Sequence, residues 1–244
     1  MEKPRIVSTS WDDGEQADIR VAERLRSKKV SGTFYVPISP YNGRPSLTHE
    51  QLRSLSSEGF EIGAHGFSHK LLRGLSSEEL AKEINPCKPV LEDILGREVR
   101  MFCYPKGRYD SNVIRALETA GYRGARTLHM LTTSVHFKPF EMPITLQVFP
   151  HLASTYLRSV AKARFRGMQV CLAQRTRLGN WVELGKRLFD SVLESGGVWH
   201  LYGHSWEIVK MNLWDDLDEV LEYVSNREGV RYIPNGDLLQ FCRQ

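Results

Sequence analysis

Residues 5–14 read RIVSTSWDDG, a largely apolar run that leads directly into two adjacent carboxylates and a glycine. Residues 5–10 have the composition of a short buried β-strand. Asp12 and Asp13 then fall at the carboxyl end of this strand, which is the edge where α/β barrels place their active sites. Taken alone, two aspartates before a glycine are more often a turn or a helix cap than a site. The pair becomes a candidate site only in combination with other reactive side chains.

The rest of the chain alternates short apolar runs with helical patterns. The strand candidates are residues 5–10, 31–36, 60–64, 99–103, 122–125, 144–149, 198–202 and 230–233. The main helix candidates are residues 17–27, 48–57, 111–120, 153–166, 181–195, 214–225 and 236–241, with a further helix that begins at Ser76 and is interrupted near Pro86. This alternation is typical of βα units and a parallel sheet. We therefore predict an α/β fold, an irregular (β/α) barrel of about seven strands forming a single domain over residues 1–244, with an open doubly wound sheet as the alternative.

Composition narrows the class of protein. Hydrophobic residues make up 41% and charged residues 25% of the 244 residues, which is ordinary for a soluble globular protein. No run approaches the roughly 20 apolar residues of a membrane-spanning helix. The opening MEKPRIVSTSWDDG lacks the pattern of a signal peptide, so we expect a cytoplasmic protein. We expect reduced, mostly buried thiols because no CxxC spacing occurs among Cys87, Cys103, Cys171 and Cys242.

Two histidines follow the third predicted strand in the sequence HGFSH, at His65 and His69. Imidazoles four residues apart can face one side of a helical turn and present two nitrogens to one ion. Together with one carboxylate they leave open positions on a divalent ion, which is the arrangement of a catalytic metal site. A second carboxylate that does not bind the ion can accept the proton of an attacking water. The sequence therefore indicates a hydrolytic metal centre.

Two later segments can reach the same end of the barrel. His204 follows the apolar run of residues 198–202 and is placed to protonate a departing amine, although a structural histidine is an equal alternative. His200, inside that run, is predicted to be a packed or hydrogen-bonded core residue. Residues 104–107, YPKG, follow the fourth predicted strand. Backbone N–H groups of such a turn can bind a developing oxyanion, whereas an ordinary turn is the simpler interpretation.

These motifs together resemble the pattern of the polysaccharide deacetylase family, also called carbohydrate esterase family four or the NodB-homology domain. An Asp-Asp-Gly motif, a His-x-x-x-His motif, a Pro-x-Gly turn and a late histidine occur in the same order, from Ser10 to His204. The resemblance implies an irregular (β/α) barrel and a divalent cofactor, with Zn²⁺ as the first choice. It also implies a carbohydrate substrate, an amino sugar from which an N-acetyl or similar N-acyl group is hydrolysed.

The resemblance also implies a role for each of the motif residues. Asp12 takes the position of the general base, and His204 takes that of the general acid. The main-chain N–H of Lys106 is the implied donor to the oxyanion. The implied metal ligands are Asp13, His65 and His69.

The chain departs from the family pattern at three places. Gly66 stands where many members have Ser or Thr, and Cys103 stands where many have an arginine that holds the catalytic aspartate. No Asp-Trp motif lies between Gly121 and Val198, which leaves Glu207 as a substitute partner for the acid histidine. Two alternatives therefore stay open. One is a metal-dependent amidase for a non-sugar amide, cyclic imide or formyl group, and the other is a sugar-binding protein with a decayed site.

A basic segment occupies residues 158–177. It contains no acidic residue, and its basic members are Arg158, Lys162, Arg164, Arg166, Arg175 and Arg177. A solvated helix face is the simpler interpretation. The alternatives are a docking surface for the phosphate of a sugar nucleotide or lipid-linked sugar, and a peripheral contact with a membrane surface. Nucleic acid is not expected as a partner, because the formal net charge is only +4 and no binding motif accompanies the segment.

Overall fold

The computed structural model describes residues 3–40, 43–152, 154–156 and 180–242. The strands in these ranges are β1 Arg5–Asp12, β2 Thr33–Val36, β3 Glu61–Ala64, β4 Met101–Cys103, β5 Gly124–Arg126, β6 Leu146–Gln147, β7 Gly197–Gly203 and β8 Val230–Tyr232. The helices are α1 Asp18–Ser27, α2 His49–Ser57, α3 Ser77–Ile84, α4 Cys87–Leu95, α5 Ser111–Thr119, α6 Trp181–Ser195, α7 Ser205–Met211, α8 Trp214–Val224 and α9 Asn235–Leu238. Short 3-10 turns lie at Pro105–Gly107, Pro139–Glu141 and Leu239–Phe241.

The strands form one parallel sheet in the order β5-β4-β3-β2-β1-β7-β6. β1 is central because it pairs with β7 along one edge and with β8 and then β2 along the other. Its side chains alternate between two environments. Val7 and Trp11 belong to the larger apolar core, whereas Ser8 and Ser10 make hydrogen bonds with Asn235 and His200. The face of β1 that leads to Asp12 is therefore polar, and it directs that carboxylate towards the inside of the curled sheet.

Residues 142–148 bridge the two ends of the sheet. The N–H of Met142 donates to the carbonyl of Ala125 in β5 at 3.0 Å, and the N–H of Val148 donates to the carbonyl of Tyr202 in β7 at 2.8 Å. The segment divides its hydrogen bonds between two strands, so β6 is only two residues long instead of the six predicted for residues 144–149. Residues 142–148 thus link the two ends of the sheet. This link confirms the predicted irregular (β/α) barrel and excludes the open doubly wound sheet.

Helix starts and interruptions agree with the local sequence signals at several places. Thr48 and Ser76 each begin a helix with a reciprocal capping box, through Gln51 and Glu79. The predicted interruption at Pro86 is confirmed, because α3 ends at Ile84 and α4 begins at Cys87. The strand β1 extends two residues beyond its predicted end and includes Asp12. Helix α7 was not predicted, and it carries residues of the candidate site described below.

Some predictions fall partly or wholly outside the described residues. These are the basic segment at residues 158–177, the thiol of Cys171 and most of the predicted helix at residues 153–166. The single-domain extent over residues 1–244 therefore stays a prediction. Cys87 and Cys103 are buried and Cys242 is half-buried, which confirms the expected burial for two of these three described thiols, while their reduced state stays a prediction. In the ranges that the structure covers, no helix has the length and apolar character needed to cross a bilayer.

Candidate metal centre and active site

A cavity of about 200 Å³ lies at the carboxyl ends of β1, β3, β4 and β7. Its walls are Asp12, Asp13, Arg44, His65, His69, Tyr104, Lys106, Leu128, Tyr202, His204 and Trp206. All the site residues predicted from the sequence are among them. The structure therefore brings together motifs that are up to 192 positions apart in the chain, from Asp12 to His204, while their roles stay predictions.

Three buried side chains converge as a candidate metal centre. The Oδ1 atom of Asp13 lies 3.3 Å from Nε2 of His69 and 3.7 Å from Nε2 of His65. This oxygen is buried and has no hydrogen-bond partner among the described residues. Ligand atoms about 2.1 Å from a tetrahedral ion are themselves roughly 3.4 Å apart. The spacing and the unsatisfied oxygen both fit a divalent cation held by these three residues.

The two imidazoles are in the state that a metal ligand requires. The Nδ1–H of His65 donates to the carbonyl of Cys103 at 2.8 Å, which leaves Nε2 as the nitrogen that faces the cavity. Burial is the largest influence on both rings, and it lowers the pKa of His65 and of His69 to about 4. Both rings are therefore neutral near pH 7, as ligation requires.

The sequence prediction that His65 and His69 share a helical turn is wrong. They lie in a loop after β3, in which Gly66 has φ of +80° and His69 has φ of +58°. The carboxylate of Glu83 holds this loop, since it accepts hydrogen bonds from the main-chain N–H of Ser68 at 3.0 Å and from its hydroxyl at 2.6 Å. Ser68 thus supplies a stabilising hydroxyl in a loop where Gly66 has none.

Asp12 is held by an arginine that the sequence analysis did not identify. Arg126, the last residue of β5, donates a short hydrogen bond from Nη2 to Oδ1 of Asp12. Burial alone raises the pKa of Asp12, but the charges of Arg126 and His65 outweigh it and lower the pKa to about 2. Asp12 is therefore ionised near neutral pH and able to accept a proton. The only sequence signal for this contact was an arginine directly after the fifth predicted strand.

A second group of possible ligands shares His65 with the first. Asp12, His65 and Cys103 also have ligand atoms within 4.8 Å of one another. Burial raises the pKa of the Cys103 thiol well above its usual range, so the thiol stays protonated and is a poor ligand. Because Arg126 already bonds Asp12, the group formed by Asp13, His65 and His69 fits a cation better.

His204 has a carboxylate partner, as the sequence analysis suggested. Its Nδ1–H donates to Oε2 of Glu207 at 2.8 Å, and the same oxygen accepts from Nε2 of Gln147 at 3.0 Å. Burial lowers the pKa of His204, but the hydrogen bond to Glu207 and the charge of Asp12 outweigh it and leave the pKa raised. Nε2 of His204 faces the cavity, 4.0 Å from Oδ2 of Asp13. The ring can therefore present a proton there.

The turn after β4 is tightly constrained. Lys106, within Pro105–Gly107, has φ of +58°, which is the left-handed region. Gly107 also has positive φ, and a side chain at that position would meet Leu128, whose Cγ atom lies 2.7 Å from an ideal Cβ. The glycine is thus required by both conformation and space. This turn places Lys106 in the wall of the cavity.

Trp206, from the unpredicted helix α7, is a further member of the site. Its Nε1–H donates to Oδ2 of Asp13 at 3.1 Å, so the other carboxylate oxygen is left to face the histidines. The guanidinium of Arg44 lies 4.2 Å from the centre of a Trp206 ring and forms an ion pair with Glu15. Trp206 therefore orients the proposed metal ligand Asp13, and Arg44 packs against Trp206 at the rim of the cavity.

Fold and site together define a (β/α) barrel with a candidate centre for one divalent cation. The chain matches the sequence model of the polysaccharide deacetylase family over residues 2–125, and it belongs to that family. Peptidoglycan-N-acetylmuramic acid deacetylase PdaC of Bacillus subtilis is 30% identical over 105 residues, which cover 42% of this chain and 22% of that protein. This chain spans less than half the length of the curated relatives that it matches.

Two solved structures show the same fold. A polysaccharide deacetylase from Mycobacterium smegmatis superimposes with a TM-score of 0.69 at 17% identity, covering 98% of this chain and 90% of that one. A family 4 acetyl xylan esterase from Clostridium thermocellum, in complex with a cobalt ion, has a TM-score of 0.59 at 16% identity, covering 96% and 90%. At these identities the likeness concerns the fold alone.

Proposed function

We propose that this protein is a metal-dependent hydrolase that removes an N-acetyl or similar N-acyl group from an amino sugar or a sugar-containing substrate. The observation that carries the proposal is the convergence of Asp13, His65 and His69 in one cavity with Asp12 and His204. Family membership supports a carbohydrate substrate, since PdaC is named for deacetylation of N-acetylmuramic acid in peptidoglycan.

The cation that we propose is divalent, with Zn²⁺ as the first choice. Two imidazoles and one carboxylate form a ligand set that suits Zn²⁺ and leaves coordination positions open. The cobalt ion bound by the Clostridium thermocellum esterase supports a divalent cation. When bound, such an ion polarises an acyl oxygen and lowers the pKa of a water molecule.

The protein groups around the cation would then move the protons. Asp12 accepts a proton from the attacking water through Oδ2, because its Oδ1 is engaged by Arg126. The main-chain N–H of Lys106 donates a hydrogen bond to the oxyanion. His204, oriented by Glu207 through Nδ1, gives the proton on Nε2 to the leaving nitrogen.

The test combines elemental analysis with a screen for acetate release from N-acetylated sugars. His65→Ala should lose both metal and activity, because two protein ligands rarely hold a catalytic ion. Asp12→Asn should keep near-stoichiometric metal while turnover falls by roughly 10²–10⁴-fold, since only a proton acceptor is lost. His49→Ala, at an exposed histidine away from the cavity, is the matched control. Equal metal loss in Asp12→Asn and His65→Ala would defeat the assignment of these two roles.

The same screen separates the alternative functions. It should include acetylated xylan, a cyclic imide and a formyl amide, because the proposed catalytic groups act on the acyl carbon and on the leaving atom, which all these substrates have. A decayed sugar-binding site is less well supported than the sequence suggested. Arg126 makes a contact with Asp12 from another strand, and Glu207 serves as the partner of His204. Bound metal without turnover on any acylated amine would favour the decayed site.

A further inference from the structure

Arg126 is a buried cation that no motif of the sequence assigns to the site. Its relative exposure is 0%, and that of its partner Asp12 is 3%. Besides bonding Asp12, its Nη2 atom lies 2.9 Å from the sulfur of Cys103. Its guanidinium is also 4.3 Å from the ring centre of Tyr202 and 5.4 Å from that of Tyr35. One planar group therefore forms a hydrogen bond at its edge and contacts aromatic rings.

Tyr202 extends these contacts to the other side of the cavity. Its hydroxyl oxygen lies 3.2 Å from Nε2 of His204, the nitrogen that faces the cavity. Tyr202 is itself buried, with 2% of its surface exposed. A continuous series of contacts thus runs from Asp12 through Arg126 and Tyr202 to His204.

We infer that Arg126 is a positioning residue for both proton transfers, because it orients Asp12 directly and His204 through Tyr202. The inference rests on the proposed function for the roles of the base and the acid. Its physical basis is that proton transfer needs a donor and an acceptor held within hydrogen-bond reach of the substrate. The thiol of Cys103, at 3.4 Å from Oδ2, is a weak donor and cannot alone fix the Asp12 carboxylate.

The side chain has to be an arginine for this purpose. A guanidinium can form hydrogen bonds in its plane while its face stacks on an aromatic ring. A lysine at position 126 would keep the positive charge near Asp12, but it would lose the planar contact with Tyr202. Lysine therefore separates the effect of charge from the effect of orientation.

The kinetic test compares Arg126→Ala and Arg126→Lys with Arg123→Ala. Arg123 is the matched control, because it is exposed and pairs with Glu98 far from the cavity. Misplacing reactive groups by about 1 Å can cost on the order of 100-fold in rate. We expect Arg126→Ala to lower kcat by about this factor with little change in KM or bound metal, and Arg126→Lys to lower it less. If Arg126→Ala has the same kcat as Arg123→Ala, the inference is overturned. It is also overturned if the loss of activity in Arg126→Ala is explained by a raised KM or by loss of metal.

A second comparison tests the link to His204. Tyr202→Phe removes only the hydroxyl, so it should lower kcat more for an amide than for an activated acyl ester, whose leaving group needs less protonation. Arg126→Ala should show this amide-specific loss together with a further loss on both substrates, because Asp12 is displaced as well. If Tyr202→Phe changes kcat for the amide and for the ester by the same factor, Arg126 does not act through Tyr202.

A third measurement does not depend on turnover and covers the case in which Arg126→Ala does not fold. Thermal unfolding of the full chain is compared for Arg126→Met, Asp12→Asn and the double variant. Removing one partner leaves a buried charge uncompensated, whereas removing both does not. The double variant should therefore have a higher Tm than Arg126→Met alone. If the decreases in Tm of the two single variants simply add in the double variant, Arg126 and Asp12 do not stabilise each other and the inference is overturned. A wild-type protein without turnover on any substrate would instead defeat the proposed function while leaving this comparison informative.

Discussion

Trp206→Phe removes one hydrogen bond from a proposed metal ligand and leaves most of the site unchanged. The indole Nε1–H donates to Oδ2 of Asp13 at 3.1 Å, and Asp13 is only 5% exposed. A phenylalanine keeps an aromatic face for the guanidinium of Arg44, which lies 4.2 Å from the Trp206 ring. The variant therefore tests the orientation of Asp13 more than the packing of the cavity rim.

The expected magnitude follows from the charge on the acceptor. A hydrogen bond to a charged group contributes about 1.5–3 kcal/mol, and each 1.4 kcal/mol corresponds to about a tenfold change in an equilibrium constant. Without its donor, the Asp13 carboxylate can rotate away from His65 and His69. We therefore expect the affinity for Zn²⁺ to fall by roughly 10–100-fold, which is the range found for residues that orient metal ligands.

The assay is a competition titration of Zn²⁺ between the protein and a chelator of known affinity. Trp214→Phe is the matched control, because Trp214 also lies beneath an arginine, with Arg20 at 4.1 Å from its ring, but it is not among the residues that line the cavity. Equal Zn²⁺ affinities for the two variants would refute the proposed orientation of Asp13. A wild-type protein that binds no divalent cation would refute the metal centre itself.

Three further predictions concern the acid, its partner and the basic segment. His204→Ala should lower kcat more for an amide than for an activated ester without changing metal content, and equal losses would indicate a purely structural role. Glu207→Gln should move the basic limb of the kcat–pH profile to lower pH, because His204 must be protonated to act as the acid and Glu207 raises the pKa of His204. If the basic limb does not move, a group other than His204 sets it. If the basic segment docks a phosphate, KM for a phosphorylated substrate should rise with salt, because exposed charges are screened beyond about 10 Å at 0.1 M. Neutralising Arg164 and Arg166 should raise KM for that substrate alone. If KM for a neutral acetylated sugar rises with salt in the same way, the simpler interpretation of the segment as a solvated helix face is supported.

The features predicted correctly from the sequence are those with local signals. Strand and helix alternation predicted the barrel, and the predicted site residues all lie at or after strand ends on the same edge of the sheet. A strand end is visible in a short window of sequence, and parallel strands bring their carboxyl ends together. For this reason the sequence alone was enough to place His65, Lys106 and His204 near Asp12.

The features that were missed depend on contacts between distant parts of the chain. Arg126 bonds Asp12 across 114 positions, and nothing near either residue indicates the other. Helix α7 has only seven residues, too few for a clear apolar period, so Trp206 was not assigned to the site. Glu207 lies only three positions from His204, so this contact is within local range, and the sequence predicts Glu207 as the substitute for the missing Asp-Trp motif.

Backbone conformation at the site is the other feature that the sequence could not reveal, and it accounts for the geometry of the cavity. Asp13, His69 and Lys106 all have φ between +58° and +79°, and all three line the cavity. A left-handed conformation costs a residue with a side chain about 1–2 kcal/mol, so a glycine would be more stable at each position. At Asp13 and His69 glycine would remove a proposed metal ligand. At Lys106 the proposed role belongs to the backbone, so the same argument does not require a side chain there. The proposed roles therefore depend on a side chain at two of these positions and on the direction of a main-chain N–H at the third.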